Sequence, residues 1–523
     1  MMNQNSTKID TANIWEEYGD MQRYLTEQNA YNTIKRNEKF VEGNQWDGCD
    51  TKTVTKITMN ELKRIRDYQV ASIVSNDIGI SINPARALAD GVEISKILST
   101  EVKKVMEQTN MIKDSRLVVC DAYAAGSEYF LHRFDADYDT GQLYKGRIIN
   151  QIVDATQMGF GNPYDSNIQE QPYILIALRQ YVESVKEEAK TLGLDEFSID
   201  EIKPDSDESN MYEEQEQKLC TVLIKFWKES RWDEKSEKWV KTVHFCKCTQ
   251  SVVLIDDTDL GYSRYPISCF GWTPKKRSYL YESPITANIA TQIYINKLYT
   301  IANEFGAKSA FPKPIIDRTK IDPKKLLDGT SNALLTSNAD LLGKFFDFYK
   351  APDFSSQILN LIQLSTQELR ETMGVNDAAL GNIRPDNAQA ILALQEITVT
   401  PLKIQLQAYY EFWEDTVRNL IDMMTTDYGV RDVDNEKVKS VDFSELKGIN
   451  FDLDIDTGTG SQFSEAMQAQ TLSNMLVSGL LDLEEFAELS SNKLLPKAQL
   501  LELLKKRQTT PQLPLPNGNN MGQ

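Results

Sequence analysis

The strongest constraint in this sequence is its longest helical pattern, Ala388 to about Met424, in which Leu402, Leu406, Tyr409, Trp413, Val417 and Leu420 recur at steps of three and four residues. Such a stripe needs a partner surface to bury it. At 523 residues, two to four domains' worth at roughly 100 to 200 residues each, the chain is long enough to supply a sizeable core. Pro401 lies in the middle of the pattern. It removes one backbone donor and clashes with the preceding turn, so the helix is expected to kink there. Hydrophobic residues are 41% and charged residues 26%, inside the globular range, which argues against wholesale disorder and collagen-like or coiled-coil architectures.

Upstream, residues 11 to 42 read as helical and end in FVEGNQW, with Gly43 placed to close the helix. A second helix starts at Asn60, turning Leu62, Ile65 and Ile73 inward and Lys63, Arg64 and Arg66 largely outward. SINP breaks the pattern, and Gly91 to Thr109 resumes it with Ile94, Ile97, Leu98, Val102, Val105 and Met106. From Glu128 the period becomes two. EYFLHRFD and LYKGRIINQIV read as one β-hairpin, KLCTVLIKFWKES and KWVKTVHFCKC as another, and SVVLID as a further strand. Between the hairpins, Asp195 to Gln217 holds ten acidic residues against Lys203 alone and is expected to be a solvated excursion.

YPISCFGWTPKKRSYLYESP, from Tyr265, reads as loop, and Ser283-Pro284 then starts a helix through about Ala307. Residues 309 to 352 are short, mixed and β-like, and Asp353 caps a helix to about Met373. A small β-containing unit therefore interrupts an αα-hairpin. GVNDAALGNIRPDN (Gly374 to Asn387) is a loop rich in turn formers, and INFDLDIDTG is a strand. Two helices are expected over Glu465 to Arg507, followed by a disordered tail at 508 to 523.

The net charge of −20 argues against a protein that grips nucleic acid by wrapping phosphate in positive charge, though not against one that lets DNA pass. No apolar run approaches a membrane span, and the first residues carry no secretory pattern. The six cysteines therefore read as reduced thiols rather than staples. Gly343-Lys344 lacks the rest of a P-loop, GTGSQF lacks the third glycine of a dinucleotide fingerprint, and two histidines leave few candidates for acid–base catalysis. His244, Cys246 and Cys248 share one face of a strand and offer soft zinc-type ligands; small side chains filling a half-buried face is the plainer account. Two basic groups, Lys275, Lys276 and Arg277, and Lys320, Lys324 and Lys325, are each able to meet phosphate or an acidic partner, or simply to solvate the surface.

The order of these features resembles the portal proteins of tailed bacteriophages. FVEGNQW, the helix pair bracketing a β unit, ETMGVNDAALGNIRPDNAQAI, the helix with Pro401 and DIDTGTGSQFSEAMQAQTLSNMLVSGLLDLEEF carry the likeness, from about residue 40 to 507. It implies an α+β, multi-domain, ring-forming fold. The wing would take residues 1–280 and 388–461, the latter holding the kinked long helix and a C-terminal strand. Stem helices would lie at 281–307 and 353–373, a small α/β clip at 308–352, a tunnel loop at 374–387, and a short helical crown at 462–507. It further implies a homo-oligomeric ring, typically of twelve, at one capsid vertex of the virion, assembled in the host cytoplasm and acting without catalysis, cofactor, metal or membrane. The partners implied are the major capsid protein, a packaging ATPase (terminase), head-to-tail adaptor or tail proteins, and double-stranded DNA in the channel. Asn376, Asn382, Arg384 and Asn387 would face that DNA, and Lys320, Lys324 and Lys325 would form the clip's docking surface. The acidic insertion has no counterpart in the family pattern. Another virion connector or adaptor ring, and a metalloenzyme centred on His244, Cys246 and Cys248, are the competing classes.

Overall fold

The computed structural model describes residues 9–47, 55–75, 78–84, 91–141, 144–205, 219–233, 238–310, 313–317, 334–336, 346–349, 356–375, 400–433, 440–449, 451–457 and 472–478. The chain forms two compact units, residues 1–74 with 82–453, and residues 75–81 with 454–523.

Five helices open the first unit. The single run expected over 11 to 42 is two helices, α1 (Thr11–Glu27) and α2 (Ala30–Glu42). The break is Asn29 at φ 54, a left-handed conformation that asparagine tolerates better than most residues. Asp10 caps α1 by accepting from the Ala12 amide at 3.0 Å. Gly43 closes α2 at φ 97, as its position in FVEGNQW predicts. Helix α3 (Glu61–Val74) buries Leu62, Ile65 and Ile73, and α4 (Gly91–Gln108) buries Ile97, Leu98, Val102, Val105 and Met106. Helix α5 (Met111–Ala125) begins after a second left-handed residue, Asn110 at φ 55, and has no counterpart in the sequence reading. The SINP break is part of a strand, β1 (Ile78–Pro84).

The alternating segments are strands β2 (Ser127–Asp139), β3 (Lys145–Asp154), β4 (Met158–Phe160), β5 (Tyr173–Tyr181), β6 (Leu219–Asp233), β7 (Lys238–Cys248), β8 (Val253–Asp259) and β9 (Ile267–Gly271). They form two antiparallel sheets, β3-β2-β9 and β4-β5-β6-β7-β8. Both expected hairpins and the SVVLID strand are present. The stretch from Tyr265 read as loop contains β9, five residues between Pro266 and Pro274 that pair with β2 from Ser127↔Gly271 to Leu131↔Ile267. Its flanking prolines and glycine masked a strand whose Ile267 and Phe270 are buried.

The acidic excursion also needs correcting at its start. Between β5 and β6, α6 (Val182–Thr191) is followed by α7 (Glu196–Glu201), which Asp195 caps. Ile199 and Ile202 sit in a cluster with Val185, Ala189, Cys220, Val222, Val252 and Leu254, so two isoleucines outweigh the surrounding carboxylates. Residues 206–217 lie outside the described set.

Beyond a two-residue pair, β10 (Thr273–Pro274) with β11 (Tyr281–Glu282), helix α8 (Ile289–Ala310) runs out and α9 (Ser356–Thr372) returns. Between them β12 (Lys313–Asp317) pairs in parallel with β13 (Leu334–Thr336) and antiparallel with β14 (Phe346–Tyr349). Asp353, the expected cap of α9, is outside the described residues.

The helix expected over Ala388 to about Met424 is described only from residue 400, so its first part, 388–399, and the expected kink lie outside the described residues. Pro401 itself sits in a 3-10 turn, Thr400–Leu402, directly before α10 (Lys403–Asp427). All six residues of the predicted stripe are buried. Phe412 of α10 meets Phe130 of β2 and Phe270 of β9 at ring-centroid distances of 5.0 and 6.4 Å, and Trp413 is fully buried beside them. Then follow β15 (Val430–Asp432) and β16 (Ser440–Asp442), paired with each other, and β17 (Phe451–Thr457), paired with β1. Of the expected crown, only residues 472–478 are described, and 472–477 are helical.

Candidate functional site

The feature that no small soluble domain needs is the long α8/α9 hairpin, and its root is built from side-chain amides. Ser283 prepares the exit of α8: its hydroxyl accepts from the Ile285 amide at 3.1 Å and donates to the Tyr123 carbonyl of α5 at 2.7 Å. One turn into α8, Gln292 donates to the Met59 carbonyl at 2.5 Å, and Asn296 accepts from the Met59 amide at 3.0 Å. The Asn296 amide donates to Gln45 at 2.7 Å, Gln45 to the Phe40 carbonyl at 2.8 Å and to Asn60 at 3.0 Å, and Asn60 to the Val41 carbonyl at 2.8 Å. Gln45, Gln292 and Asn296 are all buried. The FVEGNQW turn is therefore the socket that receives α8. Because each amide both donates and accepts, a rotation of α8 would strand several buried polar groups at once.

The returning helix has its own anchor. Gln69 of α3 donates to the Met373 carbonyl at 2.7 Å while accepting from Tyr123 at 2.8 Å, and Arg370 pairs with Glu61 at 3.1 Å. Helix α9 ends at Gly374, φ 72, where a Cβ would stand 2.9 Å from that of Pro401. Glycine is required there by conformation and by contact, so the loop expected at 374–387 departs from a point pressed against the start of α10.

The shaft of the hairpin is different. Along α8, Tyr294 and Ile301 are 46% and 50% exposed, and along α9, Leu359, Leu361 and Leu364 are 50%, 41% and 52% exposed. These apolar side chains stay outside although α8 and α9 bury Ile295, Leu298, Ile362 and Leu369.

The expected site residues fall in three groups. Asn376, Asn382, Arg384 and Asn387 of the tunnel loop, and Lys320, Lys324 and Lys325 of the clip, lie outside the described residues. Lys275, Lys276 and Arg277 are all exposed on the turn joining β10 to β11, with Arg277 at φ 56 and Lys275 donating to Gln28 at 2.9 Å. His244, Cys246 and Cys248 lie on β7 as the spacing predicts, opposite Trp227, Lys225 and Leu223 of β6. His244 Nδ1 is 2.7 Å from Asp257 Oδ1. Burial pushes both thiols up to about 12, which keeps them protonated and poor as ligands. Among the described residues no three of His, Cys, Asp and Glu are placed to hold a metal ion, and Cys120, Cys220, Cys246, Cys248 and Cys269 are free thiols.

The amide socket was not foreseen. Its trace in the sequence is Gln292 and Asn296, two amides four apart and so on one face of the helix.

Residues 20–476 match the model of the family described as Phage P22-like portal protein. A search of curated proteins returns no match.

Proposed function

We infer the function from one premise: the chain belongs to the P22-like phage portal protein family, whose model covers most of its length. It is a phage portal protein, and its place is in the virion capsid. On our reading, identical subunits, twelve in the family's usual ring, close around a channel at one capsid vertex through which double-stranded DNA is packaged and later ejected. The α8/α9 hairpin is the stem, residues 308–352 the clip, and 374–387 the loop that meets DNA. The ring does no catalysis; a separate packaging ATPase supplies the energy, the major capsid protein surrounds the ring, and adaptor or tail proteins dock on the clip.

The observation that carries the assembly is the exposed apolar shaft on an immobilised hairpin. Tyr294 and Ile301 on one helix and the three leucines on the other offer two different faces, and different faces meeting on neighbouring copies is the heterologous contact from which rings close. The charge supports the channel. Lysine and arginine that bind phosphate release its counterions and gain affinity; a chain at −20 does so little and lets a duplex slide. No helix among the described residues is long and apolar enough to cross a membrane.

Electron microscopy of the purified chain in ordinary buffer tests the ring: closed rings with a central hole of duplex width are expected. A species that stays monomeric at high concentration and moderate salt would sink the reading. Changing Lys320, Lys324 and Lys325 together to Glu should leave rings intact and weaken binding to the packaging ATPase or tail adaptor; unchanged binding to both removes those lysines. Arg384→Glu, or deletion of 376–382, should leave assembly normal and lower DNA packaging or retention.

A further inference from the structure

The five-stranded sheet carries an outlying hairpin with no function so far. Strand β5 pairs with β6 only as far as Tyr173↔Trp227, and β8 pairs with β7 only as far as His244↔Asp259. Strands β6 and β7 continue together to Asp233↔Lys238. Val243 still bonds through its amide and carbonyl to Tyr262 and Leu260, and beyond the Lys228↔Val243 pair the two strands form a two-stranded arm, an element of marginal stability by itself. Near its tip Trp232 and Trp239 are cross-strand partners, edge to face with centroids 5.6 Å apart. That contact ties the two strands together near the tip. It leaves Trp239 70% exposed, Trp232 47% and Val240 37%. Exposed tryptophan of this extent is typical of the anchors of protein interfaces rather than of free surface. The exposed Lys241, opposite Ser230 two residues along, lies on the tryptophan side of the ribbon.

A complementary surface lies at the other end of the same sheet. Helices α6 and α7 pack at the start of β6, where the Asp205 amide bonds to the Leu219 carbonyl at 3.0 Å and the Ser251 hydroxyl to the Glu201 carbonyl at 2.9 Å. Phe197 of α7 is 74% exposed and Leu192, just after α6, 46%. Around Phe197 stand the exposed carboxylates Glu196, Asp200 and Glu201. This face is apolar and acidic; the arm is aromatic and carries a cation.

The two surfaces cannot meet within one subunit. They are separated along β6 by the run from Leu219 to Trp232, about 45 Å at 3.4 Å per residue. We propose that the arm of one subunit docks its Trp232–Trp239 pair onto the α6–α7 face of a second copy of this chain. Unlike surfaces at opposite ends of one sheet give a head-to-tail contact, which propagates in one direction round a closed ring. The proposal rests on the ring reading above and adds a contact separate from the stem.

The test uses the full chain. Trp232→Ser with Trp239→Ser at the arm, and separately Phe197→Asp at the helical face, should each raise by about tenfold the concentration at which rings fall apart on dilution. Phe197 is exposed enough that its replacement leaves the subunit folded, which guards against a misfolded arm variant. The pair Trp239→Cys with Phe197→Cys, oxidised within preformed rings, should give a ladder of covalently linked subunits on denaturing gels. Rings that form normally, give no ladder and dissociate as the wild type does would overturn the docking and leave the portal reading intact. Failure of the wild-type chain to form rings would overturn the portal reading itself.

Discussion

Two interiors of this subunit are equally dry and are held by opposite chemistry. Where α10 lies on β2 and β9, the contacts are rings: Phe412 against Phe130 and Phe270, Tyr409 against Phe270, and Trp413 packed on Tyr409 and Phe412. Where α8 enters the body, the contacts are amides: Gln45, Gln292 and Asn296, with Asn60 beside them. Ring packing is strong but tolerant of small rotations, because an apolar surface has no direction. An amide network contributes less net free energy and is intolerant, because each donor must find its acceptor. The α10 core therefore keeps the subunit folded, and the socket sets the direction in which the hairpin points.

The largest effect expected from this contrast is at Trp413, fully buried among the α10 rings. Trp413→Ala should cost about 3–5 kcal/mol in denaturant unfolding, and a loss under 1 kcal/mol would show that the rings are not the main support. Next is Asn296→Leu, which keeps the volume but strands Met59 and Gln45; about 1–3 kcal/mol is expected. The sharper readout is geometric, since rings should become heterogeneous in stem direction while the circular dichroism of the subunit is unchanged.

Strand β2 offers a third probe, because it buries two titratable groups on one side. Glu128 is pushed up to about 9 by burial, then by the charges of Asp154 and Asp121, while burial pushes His132 down to about 3. The signs oppose each other. The stability that Glu128 contributes when protonated is complete below about pH 4.5 and is lost as pH rises towards 9. The stability associated with neutral His132 is present above about pH 6.5 and is lost as pH falls towards 3. Glu128→Gln should flatten the alkaline fall by up to about 1.4 kcal/mol per pH unit and leave the acid limb alone; an unchanged alkaline limb would count against it. At Gly374→Ala the left-handed φ alone should cost about 1–2 kcal/mol, and the effect should fall on the loop after α9 rather than on the rings, seen as faster proteolysis near residue 374.

Much of the ring-packed interior is legible in the sequence. The stripe from Leu402 to Leu420 has helical spacing, and the hairpins of β2 with β3 and β6 with β7 show alternation interrupted by polar turns. Short-range pattern fails where long-range contact decides. Strand β9 is too brief to alternate visibly, and α7 is helical because Ile199 and Ile202 reach a core otherwise made from α6, β6, β8 and the turn before it. The socket fails for a different reason. Gln292 and Asn296 read like the other polar residues of a mixed helix, and nothing near them in sequence reveals that their partners are Met59 and Gln45. The exposed shaft was equally invisible, since an outward leucine and an inward one are the same letter.

The separation of those partners along the chain has a consequence for biosynthesis. The bonds that α8 makes to the socket join residues 233 to 251 positions apart, and Gln69 reaches Met373 across 304. Contacts of such span form late, because a long stretch of chain must be closed before any bond rewards it. A nascent subunit emerging from the ribosome at about 5–20 residues per second therefore holds an empty socket for many seconds before α8 arrives, and longer before α9 returns to Gln69. The hairpin takes up its final direction only once residue 373 has emerged and met Gln69, so shorter nascent chains carry no oriented hairpin.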